Sequence, residues 1–241
     1  MRQQYDSSES NVSRLDFSEE DMANAFERRL RSRRPLLGMG RFSQIFREVD
    51  CRRGRPDFIG IASPSVPQPI SRPSQHNLAT SSLLSLLKAR SPRTRTWLER
   101  QTGLSRDVVA RALRNLVQNE LAEAVSPGRY LLAGGATMFE TECTAFELKL
   151  KNPRRAVFQA QYTLFAQRVW IIVPPSQASS FDVYQPVLQR WGIGVAWFDL
   201  HSRRCQAIYP ARRRPAGSRE HQAYALLRLS GSLGAYPVGH P

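Results

Sequence analysis

Lysine is scarce in this chain. Of its 35 basic residues only Lys88, Lys149 and Lys151 are lysines, and the other 32 are arginines. Cysteine is sparse and scattered: Cys51, Cys143 and Cys205 form no CxxC pair, and His76, His201, His221 and His240 never fall at metal-ligand spacing. A zinc site or a cysteine nucleophile therefore has no basis in the sequence. Long apolar runs are missing as well. The uninterrupted stretches reach a handful of residues, as in "VWIIV" at 169–173, against the ~18 needed to cross a bilayer, so no membrane partner is expected. The opening "MRQQYDSSES" carries no apolar core behind its charges and does not read as a secretory signal, which makes the cytoplasm the expected location.

What is present is a core and a charge. At 241 residues and 41% hydrophobic, the chain can fill one or two domains. Its 35 basic against 20 acidic residues leave a net charge of +15, and a field of that sign concentrates polyanions around the molecule. Nucleic acid is the first partner to consider, although an arginine excess can also follow genome composition.

Along the chain, Ser18 and Asp21 have capping-box spacing ahead of a helix at 19–31, with Met22, Phe26 and Leu30 as its buried stripe. A helical wheel sets Glu19 on that stripe. It is either a first-turn acid favourable to the helix dipole or a carboxylate turned toward a cation. "FSQIFREVD" (42–50) and "DFIGIA" (57–62) predict a hairpin around "CRRGRP". "SPSVPQPISRPS" (63–74), with four prolines and four serines, predicts a linker. Helical periodicity follows at 81–90, 93–103 and 105–121, with Ser105 as N-cap, and then two short strands about "SPG" at 121–133. This resembles the winged-helix family over 80–133, whose third helix would carry Ser105, Arg106, Val109, Arg111 and Arg114, with Arg129 on the wing. A plain three-helix packing unit is the alternative.

Beyond it, "AFELKLK" predicts a strand at 145–150, "PRRAVFQAQYTLFAQ" a helix at 153–167, and "RVWIIVPP" a strand covered on both faces: a βαβ unit. "GIGVAWFDL" (192–200) adds a strand and "SREHQAYALLRL" a late helix. In "AFELKLK", Glu147 and Lys149 project from one face, about 6.7 Å apart, and Phe146, Leu148 and Leu150 take the other. With Asp57 on a neighbouring strand, two carboxylates could hold a magnesium ion. The lysine would then position a water or offset phosphate charge. A structural Glu147–Lys149 salt bridge is the plainer alternative.

Pro56 and Asp57, followed by Glu147, Leu148 and Lys149, resemble the PD-(D/E)XK nuclease (restriction-endonuclease-like) superfamily. The likeness extends to an acid-bearing first helix (Glu19 in "SEEDM"), to a glutamine on the helix after the ExK strand (Gln159), and to the apolar strand "VWIIV". The resemblance implies an α/β fold, a restriction-endonuclease-like mixed sheet flanked by helices, with an inserted winged-helix-turn-helix domain. Its divisions are a discontinuous core at 17–62 and 134–241, a Pro/Ser-rich linker at 63–79 and the insertion at 80–133, which would account for the ninety residues between Asp57 and Glu147. It further implies a magnesium-dependent DNA endonuclease, with manganese as a substitute metal. Asp57, Glu147 and Glu19 would be metal ligands, Lys149 and Gln159 would be catalytic, and Arg106, Arg111, Arg114 and Arg129 would contact DNA. Glu48 is a further acidic candidate. A non-cleaving DNA-binding regulator on the same fold is the alternative, and enzymes that cut both strands often act as homodimers.

Overall fold

The computed structural model describes residues 17–32, 34–62, 77–133, 137–215 and 217–233. The proline-rich stretch at 63–74 lies outside those residues. The first helix, α1 (Glu19–Arg31), starts on the expected capping box: Asp21 N–H donates to Ser18 Oγ at 3.1 Å, and Ser18 N–H donates to the Asp21 carboxylate at 2.9 Å. Strands β1 (Gln44–Arg47) and β2 (Phe58–Ile61) then form the expected antiparallel hairpin.

The middle of the chain holds α2 (Leu78–Leu86), β3 (Arg93–Thr94), α3 (Arg95–Thr102), α4 (Arg106–Gln118), β4 (Ala122–Ser126) and β5 (Arg129–Leu132). The three strands make a small antiparallel sheet in the order β3-β5-β4, behind the three helices. Helix α2 starts three residues before its expected onset because Asn77 caps it, accepting from Thr80 N–H at 2.9 Å.

Then come β6 (Cys143–Leu148), α5 (Pro153–Tyr162), β7 (Arg168–Val173), a 3₁₀ segment (Pro175–Tyr184), α6 (Gln185–Trp191), β8 (Ile193–Phe198), β9 (Cys205–Tyr209) and α7 (Arg219–Leu233). The larger sheet runs β1-β2-β6-β7-β8-β9. Strands β2 and β6 pair antiparallel, β6, β7 and β8 pair parallel, and β9 returns antiparallel. The molecule is thus mixed α/β, with a mixed sheet flanked by helices. Helix α5 stops five residues short of its expected end, where Arg214 Nη2 donates to the free Thr163 carbonyl at 2.8 Å. The 3₁₀ segment, α6 and β9 were not expected, since their short runs are broken by proline or framed by arginine. No helix among the described residues is long and apolar enough to cross a membrane.

Alternation along the strands sorts side chains to two faces. On one, Phe58, Phe146, Leu148, Trp170, Ile172 and Phe198 meet Met22, Ala25, Phe26 and Leu30 of α1. Phe26 is the centre, its ring 5.3 Å from Phe198, 5.4 Å from Phe146 and 6.0 Å from Phe58. Gly60 lies on this face because Phe42 covers it: a Cβ there would stand 2.5 Å from the Phe42 ring. On the other face, Ile59, Ile61, Ala145, Ile171 and Val195 pack under α5 and α7. That core is continuous with Leu83, Leu84, Leu113 and Leu116 of the middle segment, through packing of α2 on α7. The middle segment is therefore not a unit that merely loops out of the sheet. It shares the sheet's core.

Candidate active site

Asp57 stands at the entrance to β2, directly after the buried Pro56. The pairing of Phe58 with Phe146 fixes the antiparallel register, and one step further out it sets Asp57 opposite Glu147. Odd-numbered positions of both strands face α5, so the two carboxylates share that face with Ile59 and Ala145. Leu148 N–H donates to Asp57 Oδ2 at 2.6 Å, which anchors the aspartate across the strands. Lys149 extends the β6–β7 ladder by donating its N–H to Ile172 at 2.9 Å. Its Nζ then reaches Glu147 Oε1 at 2.9 Å.

Burial governs the electrostatics. Glu147 is 5% exposed, and desolvation, joined by the nearby Asp57 charge, pushes its carboxyl up to about 7 against the opposing pull of Lys149. Asp57 is also raised, first by burial and then by Glu19 and Glu48, although the Leu148 N–H and Lys149 oppose this. Burial alone would lower the Lys149 ammonium, but the Glu147 carboxylate outweighs it and the net shift is upward. A buried carboxylate (Glu147) and a half-buried one (Asp57) beside a single ammonium, which contacts Glu147, are short of positive charge.

That donor set fits a hard cation. Magnesium takes oxygen ligands, commonly one or two carboxylates, and keeps several waters. The Gln159 side-chain oxygen is buried and has no hydrogen-bond partner. Gln159 lines a cavity of about 140 Å³ together with Gly54, Arg55, Glu147, Phe158, Tyr162 and Thr163. The hairpin turn forms one wall, with Gly54 at φ +118° pressed against Thr163, where a Cβ would stand 3.3 Å from the Thr163 hydroxyl oxygen. Helix α5 forms the other.

Of the two places the sequence left open for Glu19, the structure shows the first-turn acid. It is exposed in the first turn of α1, which packs on the opposite face of the sheet, and does not point inward along the Met22–Phe26 stripe. Its charge still raises Asp57 and Glu147, but among the described residues no group of three acidic, histidine or cysteine side chains could hold a metal. Any cation here would rest on Asp57, Glu147 and water. Glu48 is exposed and engaged by Arg55 at 2.7 Å.

The middle segment carries the expected basic residues on its surface. Arg106, Arg111 and Arg114 of α4 and Arg129 of β5 are all exposed. Ser105 caps α4, while Val109 is fully buried with Ala112, Leu113 and Leu116, so it packs the core and does not face outward. The residues that sequence reasoning did not single out are Gly54, Phe158, Tyr162 and Thr163. The one signal available was the spacing of four between Phe158 and Tyr162, and it does not say which way a helix face points.

Compared with protein-family models, curated proteins and solved structures, the chain matches none. The functional reading rests on the residues and their geometry.

Proposed function

We propose that this protein is a divalent-metal-dependent deoxyribonuclease of the restriction-endonuclease-like type, with residues 78–132 acting as a winged helix that holds DNA. The observation that carries the reading is the meeting of Asp57, Glu147 and Lys149 on one face where β2 and β6 pair, beside an unpartnered Gln159. The order of elements also agrees with the resemblance. An acid-bearing helix leads to the "PD" strand, and the "ExK" strand leads through the glutamine helix to the apolar strand.

In this reading Asp57 and Glu147 would hold magnesium or manganese. The bound ion supplies Lewis-acid neutralisation of the phosphate and a more acidic water. Lys149, fixed by Glu147, orients the attacking water and offsets charge that builds on the phosphate oxygens. Asp57 is held still by the Leu148 N–H, so both carboxylates are placed before substrate arrives. Gln159 offers an amide to the water or to a phosphate oxygen. The exposed arginines of α4 and β5 contact DNA phosphates and base edges.

The test is supercoiled plasmid with magnesium or manganese, with the native protein set beside Glu147→Ala and Lys149→Ala. Nicking or linearisation by the native protein, lost in both variants and with a chelator, is expected. Plasmid binding without cleavage under every metal would overturn the nuclease reading in favour of a DNA-binding regulator.

A further inference from the structure

The rim of the Glu147 cavity bears two large aromatic side chains that nothing in the proposed hydrolysis uses. Phe158 is 58% exposed and Tyr162 45% exposed, on a helix that packs Ala156, Val157 and Ala160 inward. Their ring centroids lie 4.7 Å apart with planes at 54°, so they form one continuous aromatic ledge. Both line the same cavity as Glu147 and Gln159.

The surroundings select the occupant. Arg154, Phe158 and Tyr162 follow one another at spacing four and lie on one stripe of α5, and Arg154 and Arg155 are exposed at its start. Arg55 lines the same cavity, its guanidinium paired with Glu48. Beyond the end of the helix, Arg214 is tied to Thr163. Arginines interleaved with exposed aromatics beside a phosphate-cleaving carboxylate pair suit a nucleic-acid strand whose bases are unpaired. The backbone follows the cations while a base stacks on the rings. In continuous duplex the bases are stacked on one another and their faces are closed to such a ledge.

We propose that the Phe158–Tyr162 ledge stacks an unpaired base of single-stranded DNA beside the scissile phosphate, so that the substrate is a single strand or the single-stranded part of a flap, bubble or frayed end. This rests on the nuclease reading for the word scissile, but the stacking itself does not. The winged-helix segment would hold the adjoining duplex while the ledge takes the strand that leaves it.

The experiment measures binding of fluorescein-labelled dT20 and of a 20-base-pair duplex to the full chain by anisotropy in a chelator, where no cleavage can occur. The Phe158→Ala/Tyr162→Ala double variant should bind dT20 about tenfold more weakly while duplex affinity stays within twofold, because base–aromatic stacking acts only on the open strand. Phe158→Trp alone should keep dT20 binding at the native level. Equal losses for dT20 and duplex, or no loss for either, would overturn the proposal. So would a dimer of the native protein in sedimentation equilibrium that the double variant abolishes without change in dT20 binding, since the ledge would then be a contact between copies. The two readings fail separately. Aromatic-dependent dT20 binding by a protein that cuts nothing keeps the ledge and removes the nuclease. Cleavage of single-stranded and duplex DNA that the double variant leaves unchanged removes the ledge and keeps the nuclease.

Discussion

The central sheet and the middle segment treat charge in opposite ways. At the meeting of β2 and β6 the charged groups are few, drawn inward and bound to one another: Leu148 N–H on Asp57, Lys149 on Glu147. On α4 and β5 they are mostly basic and left on the surface: Arg106, Arg111, Arg114 and Arg129, with Asp107 the one acid among them. Carboxylates that hold a small cation gain from burial, because desolvation makes a compensating charge worth more. Arginines that hold a long polyanion must stay where the polyanion can reach them. In the proposed reading the contrast is one of tasks, and it runs through a molecule whose two regions share the apolar core on the α5 and α7 face of the sheet.

The largest break in that comparison would come from the core on the face of the sheet opposite the site. Phe26→Ala removes the ring on which Phe58, Phe146 and Phe198 converge, and a loss of about 3–5 kcal/mol in urea unfolding is expected. The shared core should make the two regions unfold in one transition by far-UV dichroism and tryptophan fluorescence, and two transitions would show them to be energetically separate.

Next in size is the chemistry. Lys149→Ala should slow plasmid cleavage by about 10²–10³-fold, with plasmid affinity little changed, measured at saturating protein. A parallel drop in affinity would place Lys149 in binding and blur the division between the regions.

A smaller effect belongs to the metal-free protein. Glu147 is buried with its carboxyl raised from 4.5 to about 7, so the folded state holds its proton more tightly than the unfolded chain. The stability this contributes is fully present below about pH 4.5 and is lost as pH rises through about 7. In a chelator the urea midpoint should therefore fall between about pH 5 and about pH 8, and Glu147→Gln should flatten that fall. A slope unaltered in the variant would mean that Lys149 already compensates the ionised carboxylate.

The smallest is on the basic face. Arg111→Ala and Arg114→Ala should each lower the slope of log affinity against log salt by about 1, leaving cleavage at saturating DNA unchanged. An equal effect on cleavage would carry the arginines into the chemistry.

Much of this was legible along the chain, and particular residues show where legibility stopped. Period-two alternation placed Glu147 and Lys149 on one face, and the capping box set the start of α1, because both are local rules of backbone geometry. Glu19 shows the opposite. A helical wheel set it on the Met22 stripe, yet it is exposed in the first turn of α1, and a wheel does not tell a helix's first turn from its packed body. Phe158 and Tyr162 were not singled out for a related reason: apolar character fixes a preference for burial but not which helix face finds a neighbour.

The sequence by itself determined the α1 capping box, the β1–β2 hairpin, the β6–α5–β7 order, the alternation within "AFELKLK", the positive charge and the absence of a membrane-length apolar helix among the described residues. All of these are set by neighbours a few positions apart. Tertiary structure decided that Asp57 stands across from Glu147 despite ninety intervening residues, that burial makes their charges costly, that the middle segment joins the sheet's core, and that two aromatic rings stay open beside the site. Strand register and desolvation are properties of surfaces brought together from distant parts of the chain, and only the folded chain contains them.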